Sequence, residues 1–491
     1  MKSILFPLLL ANLLTGTVFA AQPVAPSSRL LAKADPWVIS RLADGGSSQF
    51  LVVLPEQADL SGADAISDKT QRGTWVFETL RNHAERTQAA LRNTLLSRGI
   101  EHRAFWVANM VLVRGDAALA EELVGRPDVA RLAANPSVRM PAPPREEAAG
   151  GASSQQINTP SAIEWGLTKI RAPEMWTAGF TGQGIVVAGA DTGYDWTHPA
   201  IRSKYRGTVG NTANHNFNWH DAIHTGGGVC GPDSVVACDD DRHGTHTMGT
   251  MVGDDGGSNQ VGVAPGAKWI GCRNMDQGSG TPATYIECFQ WFIAPTDLAG
   301  NNPSPALAPH VINNSWGCPV SEGCDAAASE VLRVVVESVR AAGIVVVASA
   351  GNEGSACSTV ASPVAIYQAS FTVGATNASD VLASFSSRGP VTFDGSNRLK
   401  PTISAPGVGV RSSVPGGTYT LLSGTSMAGP HVAGAAALLM SAYPALIGKP
   451  DLLQARLERS AVPRTAAVNC GGTGTAAPNN EYGWGRLDVK A

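Results

Sequence analysis

Three observations predict an α/β domain with a mostly parallel central sheet flanked by helices, preceded by a small ferredoxin-like α+β domain. From residue 160 onward, short continuous apolar runs alternate with amphipathic helical stretches, the pattern of a parallel sheet covered on both faces. Residues 21 to about 145 instead read as β-α-β-β-α-β. All eight cysteines fall beyond residue 229, so the two parts also differ in covalent character.

The chain has 491 residues, long enough for a large catalytic domain and a smaller companion. Lysine plus arginine (36) nearly balance aspartate plus glutamate (40), and a net charge of −4 gives no electrostatic footprint for nucleic acid or an anionic membrane. Only 15% of residues are charged and 54 are glycine, which predicts buried elements joined by tight turns.

Residues 1–20, MKSILFPLLLANLLTGTVFA, combine Lys2, an apolar run and small residues before a cut, as in a secretory signal peptide. No later run reaches the roughly 20 apolar residues of a membrane span. An exported protein without such a span is therefore expected. In the next segment QFLVVLP (49–55) reads as a strand and residues 74–99 as a long amphipathic helix. Residues 102–115 read as one or two strands, 117–126 as a short helix and 129–138 as a last strand. PAPPREEAAGGASSQQ (141–156) then has the composition of a linker. A cysteine-free domain, a cleavable-looking linker and a cysteine-bearing domain in one exported chain predict a propeptide over 21–145, with a permanent accessory domain as the alternative, and a catalytic domain over 146–491.

In the second part GIVVAGAD (184–191), AKWIGC (267–272), HVINNS (310–315) and GIVVVAS (343–349) read as buried strands, and residues 328–343 as a helix. Sites in such sheets lie at the carboxyl ends of the strands. The first run ends in Asp191. DDDRHGTHTMGTMVG (239–253) carries His243 and His246 at the start of a helical stretch. The glutamate of an HExxH zinc motif is missing, although Asp191, His243 and His246 remain an alternative metal set. In SGTSMAGPHVAGAAALLM (423–440), Gly424 and Thr425 lead to Ser426 at a helix N-terminus, with Pro430 expected in an early turn that needs no amide from it. Ala433, Gly434 and Ala435 predict close packing of that helix. A serine hydroxyl is a weak nucleophile until a neighbour takes its proton, so Ser426 draws its meaning from His243 and Asp191.

An even number of cysteines in an exported chain favours four disulfides. Proximity suggests Cys230 with Cys238 and Cys318 with Cys324, which leaves Cys272 with Cys288 and Cys357 with Cys470; sequence alone does not choose among the pairings.

The order Asp191, His243 in HGTH and Ser426 in GTSMA, each flanked by glycine, resembles the subtilisin-like serine peptidases, the subtilases. The resemblance runs from about residue 160 to 491. NNSWG (313–317) is similar to the family's substrate-binding edge, SAGNEG (349–354) to its oxyanion loop, and SFSSRGP (384–390) with APG (405–407) to its approach to the serine. It implies that Ser426 is the nucleophile, His243 the general base and Asp191 the residue that orients the base. It implies that Asn352 and the Ser426 amide stabilise the oxyanion, and that Ser315, Trp316, Gly317, Ala350 and Gly351 bind substrate. His246 and His431 become structural. The implied protein is a secreted endopeptidase made as a zymogen, which cuts itself between about residues 140 and 159. Its expected partners are protein and peptide substrates and its own propeptide as intramolecular inhibitor, and a monomer is expected. No cofactor serves catalysis. An inactive relative would lack a triad residue, and none is missing.

Two departures narrow the comparison. Residues 211–241 form a long insertion between Asp191 and His243, and many subtilisins lack cysteines, so disulfide-bearing, bacillopeptidase-F-like members are the nearer relatives. Calcium is a candidate structural ion at DDGGSNQ (254–260), where Asp254, Asp255 and Asn259 offer side-chain oxygens. The first specificity pocket, expected at 315–317, 348–352 and around Ala361 and Ser362, has no buried acid and should accept large apolar side chains. Asp240, near His243, is expected to add a mild taste for a basic residue at the neighbouring subsite.

Overall fold

The computed structural model describes residues 26–43, 45–140, 163–319, 322–324, 326–471 and 474–490. The expected signal peptide and linker lie outside them. Strands between Val186 and Pro406 build a seven-stranded sheet in which every neighbouring pair is parallel. Its spatial order is Ile403–Pro406, Phe371–Thr376, Val345–Ser349, Val311–Asn314, Val186–Asp191, Lys268–Arg273, Trp219–Asp221. The four runs expected as strands are all present, because each is a continuous apolar stretch buried on both faces. Phe371–Thr376, Ile403–Pro406 and Trp219–Asp221 join them without having been expected. The chain order reverses on either side of Val186–Asp191: the next two strands of the sheet in the chain, Trp219–Asp221 and Lys268–Arg273, lie to one side and Val311–Asn314 to the other. Such a reversal opens a crevice at the strand carboxyl ends, and Asp191 is the last residue of the reversing strand.

The helix expected after Ser426 runs Thr425–Ala442, and every residue from Thr425 to Met440 is buried. A helix apolar on all sides must be enclosed, and this one lies between the sheet and the helix His243–Val252. Gly434 permits the contact: a Cβ there would stand 2.5 Å from the Val263 Cβ. The expectation for Pro430 needs correction. It lies inside the helix rather than in its first turn, so one carbonyl loses its helical donor.

The N-terminal part has the expected β-α-β-β-α-β order. Ser48–Val53, His102–Phe105, Met110–Gly115 and Arg131–Ala133 form a four-stranded antiparallel sheet, with helices Lys69–Ser97 and Ala117–Gly125 between strands. Two short helices, Ser28–Lys33 and Pro36–Leu42, precede it. This module packs on the large one. Gln290 Oε1 accepts the Trp106 and Val107 amides (2.6 and 3.2 Å), Asn135 Oδ1 accepts the Ala283 amide (2.9 Å), and Arg103 pairs with buried Glu287.

Four disulfides are formed, Cys230–Cys238, Cys272–Cys288, Cys318–Cys324 and Cys357–Cys470. The last spans 113 residues and, on the loop-entropy view, constrains the unfolded chain most, by about 4 to 5 kcal/mol.

Candidate active site

Asp191, at its strand's end, is 1% exposed, and its Oδ1 lies 2.8 Å from His243 Nδ1. The same oxygen accepts the Thr192 amide (2.8 Å), and Oδ2 accepts the Thr247 hydroxyl (3.3 Å). His243 opens the helix His243–Val252, and a residue that sequence reasoning missed fixes its placement. Buried Asp239 accepts the Thr192 hydroxyl (2.8 Å) with one oxygen, and the Thr245 amide and hydroxyl (2.9 and 2.6 Å) with the other. The Thr192 hydroxyl in turn accepts the Gly244 amide (3.0 Å). Asp239 thus clamps the residue after Asp191 to the turn that begins at His243. Burial pushes its own carboxyl up to about 6.

Burial pulls the His243 imidazolium downward, but Asp191, Asp241 and Asp239, with Asp191 the largest of them, together outweigh it, and the net shift is upward from 6.5. A base must be neutral to accept a proton. The acid limb of kcat/KM for peptide cleavage is therefore expected above pH 6.5, with activity rising with pH through the His243 titration. Asp191→Asn should move that limb to lower pH. A pH–rate profile on a peptide anilide measures both; a limb near pH 5 in the unaltered protein contradicts the assignment.

Ser426 stands in the first turn of its helix, and its Oγ donates to the Ser315 carbonyl (3.2 Å). Asn352 follows the strand Val345–Ser349. Its Oδ1 accepts the Thr425 amide (2.9 Å) and hydroxyl (3.0 Å), so its amide nitrogen is the end left for another acceptor. A Cβ on Gly424 would stand 3.6 Å from both Asn352 Nδ2 and the Ser426 amide nitrogen. Two donors thus border one small space that glycine keeps open.

His243, Ser315, Trp316, Gly317, Gly351, Asn352 and Ser426 line one cleft, together with Ser349 and Ser362. Trp316 forms a wall whose ring stacks on Tyr285, centroids 3.8 Å apart. Ala350 is not in the lining: it is fully buried, its amide bonded to the Val373 carbonyl (3.0 Å). Glu353, which sequence reasoning passed over, does line the cleft, its Oε2 accepting the Ser387 hydroxyl (2.6 Å). The expected influence of Asp240 on a neighbouring subsite has no support in the geometry. Its carboxylate turns inward, to fully buried Arg273 (3.2 Å) and to the Gln277 amide (3.0 Å).

The alternative metal set does not converge. His246 Nε2 faces the Val410 and Thr420 carbonyls (3.0 and 3.2 Å), and burial lowers its pKa to about 3. His431 is likewise buried, its Nδ1 on the Met427 carbonyl (2.8 Å), its pKa lowered to about 4 by burial. The residues proposed for calcium do not fit that ion. Asp255 Oδ2 accepts from Asn259 Nδ2 (2.6 Å), and Asn259 Oδ1 accepts from the Arg411 guanidinium (2.5 Å), so a cation already holds that oxygen. Among the described residues no group of three histidine, cysteine or acidic side chains is placed to hold a metal.

The cleft is occupied by the chain itself. Val138–Arg139 pairs antiparallel with Ser279–Gly280, and the Met140 amide donates to the Gly278 carbonyl (2.7 Å). Glu322 accepts the Arg139 amide (3.0 Å). Arg139 and Met140 line the same cleft as His243, Asn352 and Ser426, where about 40 Å³ stays free.

A family model described as the subtilase family matches residues 182–485. Bacillopeptidase F of Bacillus subtilis (strain 168) is 39% identical over 398 residues, 79% of this chain and 26% of that protein. Subtilisin E of the same strain is 35% identical over 286 residues, 58% of this chain and 62% of that protein. A subtilisin of Bacillus pumilus is 34% identical over 286 residues, covering 86% of its length. The chain thus spans about a quarter of bacillopeptidase F and less than two thirds of subtilisin E. Among the described residues no helix is long and apolar enough to cross a membrane.

Proposed function

Because the chain belongs to the subtilase family, we propose that it is a secreted serine endopeptidase, made as a zymogen, that cleaves proteins through an acyl-enzyme on Ser426. The observation that carries this is the meeting of His243, Asn352 and Ser426 on one cleft, with buried Asp191 bonded to His243 behind it and the chain's own Arg139 and Met140 in the lining. To react, Ser426 Oγ leaves the Ser315 carbonyl and gives its proton to His243 as it attacks the scissile carbonyl. Asp191, bonded to Nδ1, holds the tautomer that leaves Nε2 free and stabilises the imidazolium that forms. His243 then protonates the leaving amine, and a water repeats the sequence to release the acyl group. Asn352 Nδ2 and the Ser426 amide, at the positive end of its helix, receive the oxyanion. No cofactor enters these steps.

Residues 21–145 are read as the propeptide, 1–20 as the signal peptide and 146–491 as the peptidase. Strand addition at Ser279–Gly280 gives the tail main-chain hydrogen bonds that any extended peptide can make. The docked module thereby blocks the cleft that its Arg139 and Met140 line. The first pocket, walled by Trp316, Gly317 and Ser362, is read as taking large apolar side chains, with the Glu353 carboxylate beside it. A monomer is proposed. The test is self-processing. Full-length Ser426→Ala is expected to stay uncut between about residues 140 and 159, while the unaltered chain is cut there. Efficient cutting of the purified variant would contradict the reading.

A further inference from the structure

The carbonyl of Ser426 should accept the amide of residue 430, but residue 430 is proline and has no N–H. The place is filled from outside the helix. Ser315 Oγ donates to the Ser426 carbonyl (3.0 Å), while Ser426 Oγ donates to the Ser315 carbonyl (3.2 Å), so the two serines are joined reciprocally. Asn313 Nδ2 donates to Ser315 Oγ (2.8 Å), which leaves the single hydroxyl proton of Ser315 for the Ser426 carbonyl. All three residues around this link are enclosed, Asn313 and Ser315 at 1% exposure and Pro430 within the buried helix. Asn313 belongs to the strand Val311–Asn314, which lies directly beside the Asp191 strand with Asn313 opposite Gly189.

We propose that Ser315 is a positioning residue for the nucleophile and that Pro430 is its counterpart. The proline frees the Ser426 carbonyl from the helix, and Ser315 then ties that carbonyl to the strand beside the one that ends in Asp191. The orientation of residue 426, including its amide at the oxyanion space, is therefore set by the sheet that carries the rest of the site. An ordinary helical bond would have set it by the helix. This goes beyond contact with substrate at the cleft edge, and it rests on the reading of Ser426 as nucleophile.

Removing the hydroxyl leaves the Ser426 carbonyl buried without a donor, whereas replacing proline by alanine returns an amide to it. Ser315→Ala is expected to lower kcat roughly tenfold, the scale of one buried hydrogen bond, with KM nearly unchanged. Adding Pro430→Ala to Ser315→Ala is expected to restore kcat to within about threefold of Pro430→Ala alone. The readouts are kcat and KM on a peptide ester and the rate of fluorophosphonate labelling, with thermal melts on each variant. If Ser315→Ala alone does not fold, the double variant is expected to fold and to work. A Ser315→Ala protein with unaltered kcat, or a double variant that falls below Pro430→Ala by the same factor as Ser315→Ala falls below the unaltered protein, overturns the proposal. An unaltered protein that neither cleaves peptides nor takes the label overturns the nucleophile reading itself, a different result.

Discussion

Ser426→Ala, once an added peptidase has cut it free of its N-terminal module, is expected to stay folded, to bind peptides, and to turn them over about a millionfold more slowly than the unaltered enzyme. Alanine fits where the serine side chain stands, because the Ser426 hydroxyl makes one hydrogen bond in the resting protein, to the Ser315 carbonyl. What disappears is the atom that forms the acyl bond. His243 then has no proton to take, and the Asp191–His243 pair contributes nothing alone. Some catalysis above that of water should persist, since oxyanion donors and substrate binding remain. Steady-state kinetics on a peptide ester, with enzyme freed of contaminating peptidase, measures the loss. A reduction of only tenfold in pure protein would mean that another group performs the attack.

The second large effect belongs to Asn352. Its side-chain oxygen is engaged twice by Thr425, which fixes the amide nitrogen before any substrate arrives. A donor fixed in advance costs no reorganisation when charge appears, and it acts on the oxyanion more strongly than on the neutral carbonyl. Asn352→Ala should therefore lower kcat by about a hundred- to a thousandfold, some 2.7 to 4 kcal/mol, while KM stays within a few fold. Asn352→Asp is expected to be at least as damaging, since a carboxylate would face the developing negative charge. A rise in KM at unchanged kcat would show Asn352 to be a binding residue and would move the oxyanion space elsewhere.

Sequence made the candidate site residues legible because each sits where a strand or helix begins or ends, in a local pattern of glycine and small residues. Asp191 closes an apolar run, His243 and Ser426 open helices, and Asn352 follows a run of valines. The groups that hold these residues were less legible, since their partners are distant along the chain. Asp239 shows its role only once Thr192 stands beside Thr245. The reciprocal bond between Ser315 and Ser426 joins residues 111 apart. Asp240 was misread for the same reason: Arg273, 33 residues on, turns its carboxylate inward. Pro430 looked harmless as part of an early turn, and only its true depth in the helix frees the carbonyl that Ser315 takes. Among strands, Ile403–Pro406 escaped because it is four residues long and ends in proline, a residue confined to sheet edges, which is where it lies. The N-terminal module kept its expected order because a long amphipathic helix and alternating apolar strands are local signals.

Covalent labelling tests the central claim most directly. The full-length chain and its processed form are treated with a fluorophosphonate, digested, and mapped by mass spectrometry. A single adduct on Ser426 is predicted, formed faster once Arg139 and Met140 have left the cleft, slowed in His243→Ala, and absent in Ser426→Ala. Peptidase activity that survives full treatment, or an adduct on any other residue with Ser426 unmodified, would contradict the account.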